Sequence, residues 1–150
     1  MTPAATIPLP VTIRGPAILG DDPTMYSVAQ RMFCDCVEEG PFDHDNFGRE
    51  LPDEAHLVIW AVVDGEVVGF ATFKPTDENS MWLEALYVAP EFRRRGLGRA
   101  LFKAFIAASR AEGVGIVLTG TRAGNTAMAD FIRRQGWAEV GITFGQVLTQ

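Results

Sequence analysis

Four arginines fall within seven residues in the run Arg93-Arg94-Arg95-Gly96-Leu97-Gly98-Arg99, with two glycines one residue apart among them. The run follows an alternating apolar stretch that reads as a strand and leads into residues with helical spacing, which puts the glycines at a helix N-terminus. There the first backbone N–H groups have no partner inside the helix, and the macrodipole leaves about half a positive charge. Glycine removes the Cβ atoms that would hold an anion away from those amides, and arginine adds positive charge. Such a mouth suits a phosphate or pyrophosphate. A P-loop needs Gly-Lys-Ser/Thr where the chain has Gly98-Arg99-Ala100, and a dinucleotide fingerprint needs a third glycine at Leu101; both are excluded. A turn that only lets a helix pack close to a strand explains the glycines and leaves the arginines unexplained.

The elements that must position this run follow from periodicity. Met1 to Pro10 carries three prolines and is expected to be a flexible lead, followed by one domain over residues 11–150. Val11 to Arg14 predicts a first strand ended by Gly15-Pro16. From Thr24, Met25, Val28, Met32, Phe33 and Cys36 recur at helical spacing, with Asp22-Pro23-Thr24 as the start and Gly40-Pro41 as the stop. Pro41 to Ala55 is acidic and reads as a loop or short helix. Asp64-Gly65 predicts a hairpin between Leu57 to Val63 and Val67 to Phe73, with a turn over Pro75 to Ser80. Met81 to Val88 reads as a strand ended by Ala89-Pro90. A helix then opens at Gly96 and closes at Gly113, burying Leu97, Leu101, Phe105 and Ala108. Val114 to Thr119 is apolar enough for a strand covered on both sides. A further helix runs from Gly124-Asn125 to Gln135, and Trp137 to Ile142 and Phe144 to Leu148 predict two final strands. This order implies a mixed α/β sheet with helices packed on it.

Composition narrows the function. The 150 residues are 47% hydrophobic with a net charge of −6. Residues 1–54 hold ten acids against three arginines, whereas residues 55–150 hold nine acids against ten bases, five of them between Arg93 and Lys103. An acidic chain with one local basic cluster lacks the basic face that nucleic acid requires and is suited to one small polyanion. The longest apolar run, Leu57 to Val63, is too short for a membrane span, and no secretory signal is evident at the start. Cys34 and Cys36 fit neither a disulfide framework nor a zinc site, so reduced thiols in a cytoplasmic protein without a metal are expected.

The run Leu86-Tyr87-Val88-Ala89-Pro90 before Arg93-Arg94-Arg95-Gly96-Leu97-Gly98, followed by Asn125, Met128, Phe131, Gly136 and Trp137 at their spacing, resembles the GNAT superfamily of acyl-CoA-dependent N-acyltransferases. The resemblance implies a central, mostly antiparallel sheet of six to seven strands, splayed between the family's fourth and fifth strands and flanked by about four helices. It implies acetyl-CoA as co-substrate, with the pantetheine arm pairing to the backbone of Leu86, Tyr87 and Val88. The pyrophosphate would lie against Arg93, Arg94, Arg95, Gly96, Leu97, Gly98, Arg99 and Ala100. Asn125 and Phe131 would line the pantetheine region, and Arg133 or Arg134 would reach the ribose phosphate or lie on a solvated face.

The implied reaction is direct attack of a primary amine on the thioester within a ternary complex, with the Val88 N–H as oxyanion donor. Glu84 is the candidate base. It interrupts an apolar strand, by alternation on the face of Leu86 and Val88, and the family often carries its acid on this strand. The family's usual general acid is a tyrosine at the place of Ile132, which cannot donate a proton; Tyr26 and Tyr87 are the other tyrosines. An acyl-CoA-binding or sensing module with little turnover is the alternative that this departure raises. Asp35, Glu38, Glu39, Asp43 and Asp45 near Phe33, Phe42 and Phe47 suit a cationic small-molecule or peptide amine. His44 and His56 read as loop and strand-edge residues. Among similar proteins pairing through the last strands is common, so a homodimer is a further expectation.

Overall fold

The computed structural model describes residues 10–40, 42–121, 124–141 and 144–148. Chain order is β1 (Val11–Ile18), α1 (Pro23–Glu39), β2 (Asn46–Gly48), β3 (Leu57–Val63), β4 (Glu66–Asp77), β5 (Ser80–Val88), α2 (Leu97–Ala111), β6 (Ile116–Thr119) and α3 (Thr126–Arg134). The sheet runs β1-β3-β4-β5 with antiparallel neighbours, and the far edge of β5 is shared by two short strands. β6 pairs in parallel with Ser80 to Leu83, and β2 pairs antiparallel with Ala85 to Tyr87. The partner of β5 therefore changes at Glu84.

The two faces of the sheet carry different helices. Asp22 opens α1 by accepting a hydrogen bond from the Met25 N–H at 3.1 Å, with Pro23 at the first helical position. Ala29, Met32 and Cys36 of α1 pack on Val58, Trp60, Val62, Phe70, Ala85 and Tyr87. On the opposite face Leu97, Leu101, Phe102 and Phe105 of α2, with Met128 and Phe131 of α3, cover Ile59, Ala61, Ala71, Phe73, Leu83, Leu86 and Val88. Phe70, Phe73, Phe102 and Phe105 are fully buried, and each contributes about 1.5–3 kcal/mol by leaving water. At the β3–β4 hairpin, Asp64 (φ 49°) and Gly65 (φ 79°) are both left-handed, the turn expected of Asp-Gly.

Several expectations are corrected. β1 continues through Gly15-Pro16 to Ile18, with its register shifted between Arg14 and Ala17. β4 runs past Pro75, which faces Met81, so the turn shrinks to Glu78 and Asn79. Within Pro41 to Ala55, read as loop or short helix, lies β2. The predicted strand at Val114 starts at Ile116 and is not covered on both sides: none of Ile116–Thr119 is buried, and Ile116 is exposed. Against the expected six or seven strands and about four helices, six strands, three α-helices and two short 3-10 helices are found among the described residues. Residues 137–141 and 144–148 form no strand, while Ile142 lies outside the described residues. Val140, Phe144, Val147 and Leu148 are exposed; alternation supplied a face but no edge to pair with. Among the described residues no helix is long and apolar enough to cross a membrane.

Candidate active site

Gly96, at φ 83°, turns the chain into α2, and no side chain caps the helix start. Intrahelical bonding begins with the Ala100 N–H on the Gly96 carbonyl at 2.9 Å, so the amides of Leu97, Gly98 and Arg99 have no helical acceptor. Leu97 and Gly98 are buried, while Arg94, Arg95 and Arg99 project into solvent. Among the described residues none of these three arginines forms an ion pair. The mouth thus has the bare amides and free positive charge expected of an anion receptor.

That mouth is filled by the chain's own Asp45. A Cβ on Gly98 would collide with the Asp45 Oδ1 and lie 3.0 Å from the His44 carbonyl oxygen. The Arg94 N–H points to Asp45 Oδ2 at 3.5 Å, and the carboxylate is 5% exposed. The Asp45 carbonyl accepts from the Val88 N–H at 2.7 Å. Asn46, Phe47 and Gly48 continue this contact by pairing with Tyr87, Leu86 and Ala85. His44 stacks on Phe131 at 4.6 Å between ring centroids. The segment is folded by its own polar side chains: Asp43 Oδ1 accepts from the Asp45 N–H at 2.8 Å, and Asn46 Oδ1 from the Asp43 N–H at 3.0 Å.

Arg93 points elsewhere. Its Nε donates to the Val88 carbonyl at 2.8 Å, its Nη2 to Glu39, and its guanidinium lies over the Tyr87 ring. The Tyr87 hydroxyl donates to the other oxygen of Glu39 at 2.7 Å. Burial, then this bond, pushes the Tyr87 phenol well above its ordinary range. Arg93 therefore clamps the end of β5 to α1 instead of facing the mouth.

Glu84 sits at a β-bulge. Pairing with β4 steps from Thr72–Ala85 to Phe73–Leu83, which leaves Glu84 as the extra residue. The bulge interrupts the alternation, so Glu84 does not share the face of Leu86 and Val88. Those two pack under α2, whereas Glu84 meets Lys74 Nζ at 3.6 Å. Lys74 also donates to Glu50 Oε2 at 2.7 Å, a bond that raises the lysine's affinity for its proton and lowers that of Glu50. Beside this pair is a cavity of about 400 Å³ lined by Glu50, Asp53, Ala55, His56, Lys74 and Pro75. His56 Nδ1 accepts from the Asp53 N–H at 2.9 Å, and burial lowers the imidazole pKa below its ordinary value. In the neutral ring the proton is then on Nε2, which makes His56 a donor here and not a base. A second cavity of about 330 Å³ is lined by Asp35, Glu38, Glu39, Tyr87 and Pro90.

The profile of the Acetyltransferase (GNAT) family matches residues 23–137, which include the β5 strand and the start of α2. The chain belongs to the GNAT acetyltransferase family. One relative is an L-methionine sulfoximine/L-methionine sulfone acetyltransferase of Pseudomonas aeruginosa, 32% identical over 61% of this chain and 59% of its own. The chain spans about a fifth to three fifths of the length of the curated relatives it matches. Among solved structures, an aminoglycoside acetyltransferase from an uncultured soil metagenomic sample superposes with a TM-score of 0.67 at 18% identity, covering 93% of this chain and 97% of that one. A GNAT family acetyltransferase of Elizabethkingia anophelis with acetyl-CoA bound superposes at 0.56 and 16% identity, covering 83% and 74%. At these identities the structural likeness concerns the fold.

In this GNAT chain β2 is additional to the expected strand order, so the strand expected to be the family's fourth is β5. Asn125 caps α3 by accepting from the Met128 N–H at 3.1 Å, and Phe131 is buried beneath His44 and beside Phe102. Ile132 is half-buried against the α2-side core. Arg133 is exposed and held by Glu139 at 2.6 Å and Asp130 at 3.4 Å, which favours its reading as a solvated face. Asp45 was read from sequence only as one of the acids suited to a cationic amine; its place in the helix mouth, Asn46 and the Lys74–Glu50 pair were not identified. The signal for the first two was the Asp43-His44-Asp45-Asn46 string, whose side chains favour tight turns. Nothing local joins Lys74 to Glu50, 24 positions apart.

Proposed function

We propose that the chain is an N-acetyltransferase that moves the acetyl group of acetyl-CoA to a primary amine by direct attack. The observation that carries this reading is the alignment of the β5 edge, from Glu84 to Val88, with the uncapped N-terminus of α2 and its row of arginines. The site fits the coenzyme on two counts. The Asp45 carboxylate already stands before the Arg94 N–H where phosphate oxygens would lie, and only the missing Cβ of Gly98 lets an anion come that close to the start of α2. Acetyl-CoA would supply the activated acyl group as a thioester. The chain's own parts are then a row of strand-edge backbone groups at Leu86, Tyr87 and Val88 to align the arm. The amides of Arg94 to Arg99 would bind the diphosphate, with Arg94, Arg95 and Arg99 adding charge. The Val88 N–H would donate to the thioester oxygen.

An amine with an ordinary pKa near 10 is protonated at neutral pH, so a base is required. Glu84, buried at the bulge and bordering the larger cavity through Lys74, is the group we assign to that proton, directly or through water. The acceptor would enter this cavity, whose lining carries Glu50 and Asp53 against Lys74, with Glu84 behind the lysine, an acidic balance that favours a cationic amine. The relatives named for aminoglycoside and amino-acid-derivative acetylation act on small amines of this kind, which supports the class but not a particular acceptor. With Ile132 at the tyrosine position, the departing thiolate takes its proton from water.

A second reading, an acyl-CoA-binding module with little turnover, is favoured by Ile132. Thiol release from acetyl-CoA over a panel of primary amines, run beside calorimetric titration with CoA, separates the two. Turnover with at least one amine supports the enzyme; CoA binding with no thiol release across the panel supports the module. Gly98→Glu puts a side chain and a negative charge into the mouth and is expected to weaken CoA binding more than a hundredfold. Normal CoA binding by that variant would show the coenzyme site to be misplaced.

A further inference from the structure

We infer that residues 43–48 are a built-in stand-in for the coenzyme, a strap that closes the channel by making the contacts CoA would make and that CoA must displace to bind. The inference rests on the coenzyme reading above and adds its regulation.

Four contacts coincide. The strap's β2 lies antiparallel on the β5 edge at Ala85, Leu86 and Tyr87, in the lane assigned to the pantetheine arm. The Asp45 carbonyl takes the Val88 N–H at 2.7 Å, the donor assigned to the thioester oxygen. The Asp45 carboxylate lies against bare Gly98 and before the Arg94 N–H, in the place of phosphate oxygens. The His44 ring covers Phe131, the residue assigned to the pantetheine region. Coenzyme and strap cannot occupy these groups together. A segment that packed here only as a surface loop would satisfy one or two of these groups; this one satisfies the strand edge, the oxyanion donor and the anion mouth at once.

The strap is held to be released. Its strand is three residues long, its turn is closed by its own Asp43 and Asn46 side chains, and Phe47 is its deeply buried apolar anchor. Such a self-contained turn can leave the β5 edge without unravelling, and replacing its backbone and carboxylate partners with CoA's own leaves the Val88 and Arg94 N–H groups with an acceptor in both states. The apparent affinity for CoA is then the intrinsic affinity reduced by the fraction of molecules with the strap open.

The test combines two measurements on the full chain, with CoA as the probe. In the wild type, hydrogen–deuterium exchange over residues 42–48 should speed up when CoA is saturating, while residues 84–88 stay protected. Unchanged or slowed exchange at 42–48 with CoA bound overturns the strap and leaves the acetyltransferase reading intact. Asp45→Ala and the isosteric Asp45→Asn remove the carboxylate from the helix mouth and should tighten CoA about 3- to 30-fold, the range set by a carboxylate at a partly buried helix N-terminus. No gain in either variant also overturns the strap. Should neither the wild type nor the variants bind CoA, the coenzyme reading itself falls and takes the strap with it.

Discussion

Removing the Glu39 carboxylate tests the clamp that fixes the end of β5. Glu39 receives the Tyr87 hydroxyl at 2.7 Å and the Arg93 guanidinium, and Arg93 in turn holds the Val88 carbonyl at 2.8 Å. A hydrogen bond to a charged group contributes about 1.5–3 kcal/mol, and the Tyr87 bond deserves that range because the residue is 4% exposed. The ion pair adds less, at most about 1 kcal/mol, since Arg93 and Glu39 side chains are 21% and 26% exposed. Water can enter from the adjoining 330 Å³ cavity and relieve part of the unmet Tyr87 hydroxyl, which pulls the sum down. Glu39→Ala should therefore cost about 2–3 kcal/mol, or about 4–12 °C in Tm for a chain of this size. Tyr87→Phe should cost about 1 kcal/mol, and the double variant should fall short of the sum by more than about 0.5 kcal/mol because both changes delete one bond. Chemical denaturation of the four proteins supplies the cycle. Strict additivity, or a Glu39→Ala loss below about 0.5 kcal/mol, would refute the clamp. The wild type should also lose stability above pH 10, where the unfolded tyrosine gives up a proton that the folded one retains, and Tyr87→Phe should flatten that loss.

Glu84→Gln should lower kcat at neutral pH by at least about a hundredfold, leave the KM for acetyl-CoA unchanged and recover as pH approaches that of the free amine; a pH-independent loss would remove Glu84 from the base role. Burial, reinforced by Glu39, pushes the Cys36 thiol up to about 12, whereas Cys34 is exposed. A thiol reagent at pH 8 should accordingly modify Cys34 at least about a hundredfold faster than Cys36, with both reacting at equal rates in denaturant. His56 is held below its ordinary pKa by burial, so on acidification the unfolded chain takes up its proton first. Stability should fall as pH drops from about 6.5 towards 5, by at most about 1.4 kcal/mol per pH unit, and His56→Asn should abolish that slope in urea denaturation curves.

What the sequence made legible was local. Asp22-Pro23 marked the start of α1, Asp64-Gly65 the hairpin, and the Leu97, Leu101, Phe105, Ala108 spacing the buried face of α2, because each signal lies within a few residues of what it controls. The helix mouth was legible for the same reason. The occupant of that mouth was not, since Asp45 reaches Gly98 across about fifty positions and β2 is a three-residue strand with a mixed polar sequence. Glu84 was found as a carboxylate in an apolar strand, yet its face was misread because period two assumes an unbroken ladder. Arg93 belonged by position to the basic run, and only tertiary packing turned it towards Glu39. The last two strands failed on the lack of a partner edge, which alternation cannot report.

The bulge at Glu84 has a consequence for how the sheet tolerates its own chemistry. Leu83 and Leu86, three positions apart, both press on the α2 layer, which a regular ladder forbids. The extra residue acts like an edge dislocation in a crystal: one unit is inserted, and the lattice is regular again on either side. The apolar floor under α2 stays continuous while a carboxylate is delivered to the opposite layer, so the defect is confined to one residue without a partner on β4, whose carbonyl accepts instead from the Arg49 N–H at 2.8 Å. Excising that one residue would heal the ladder, with Phe73–Leu83 following Thr72–Ala85 in unbroken alternation and Leu83 still on the α2 layer, so that only the carboxylate would be lost.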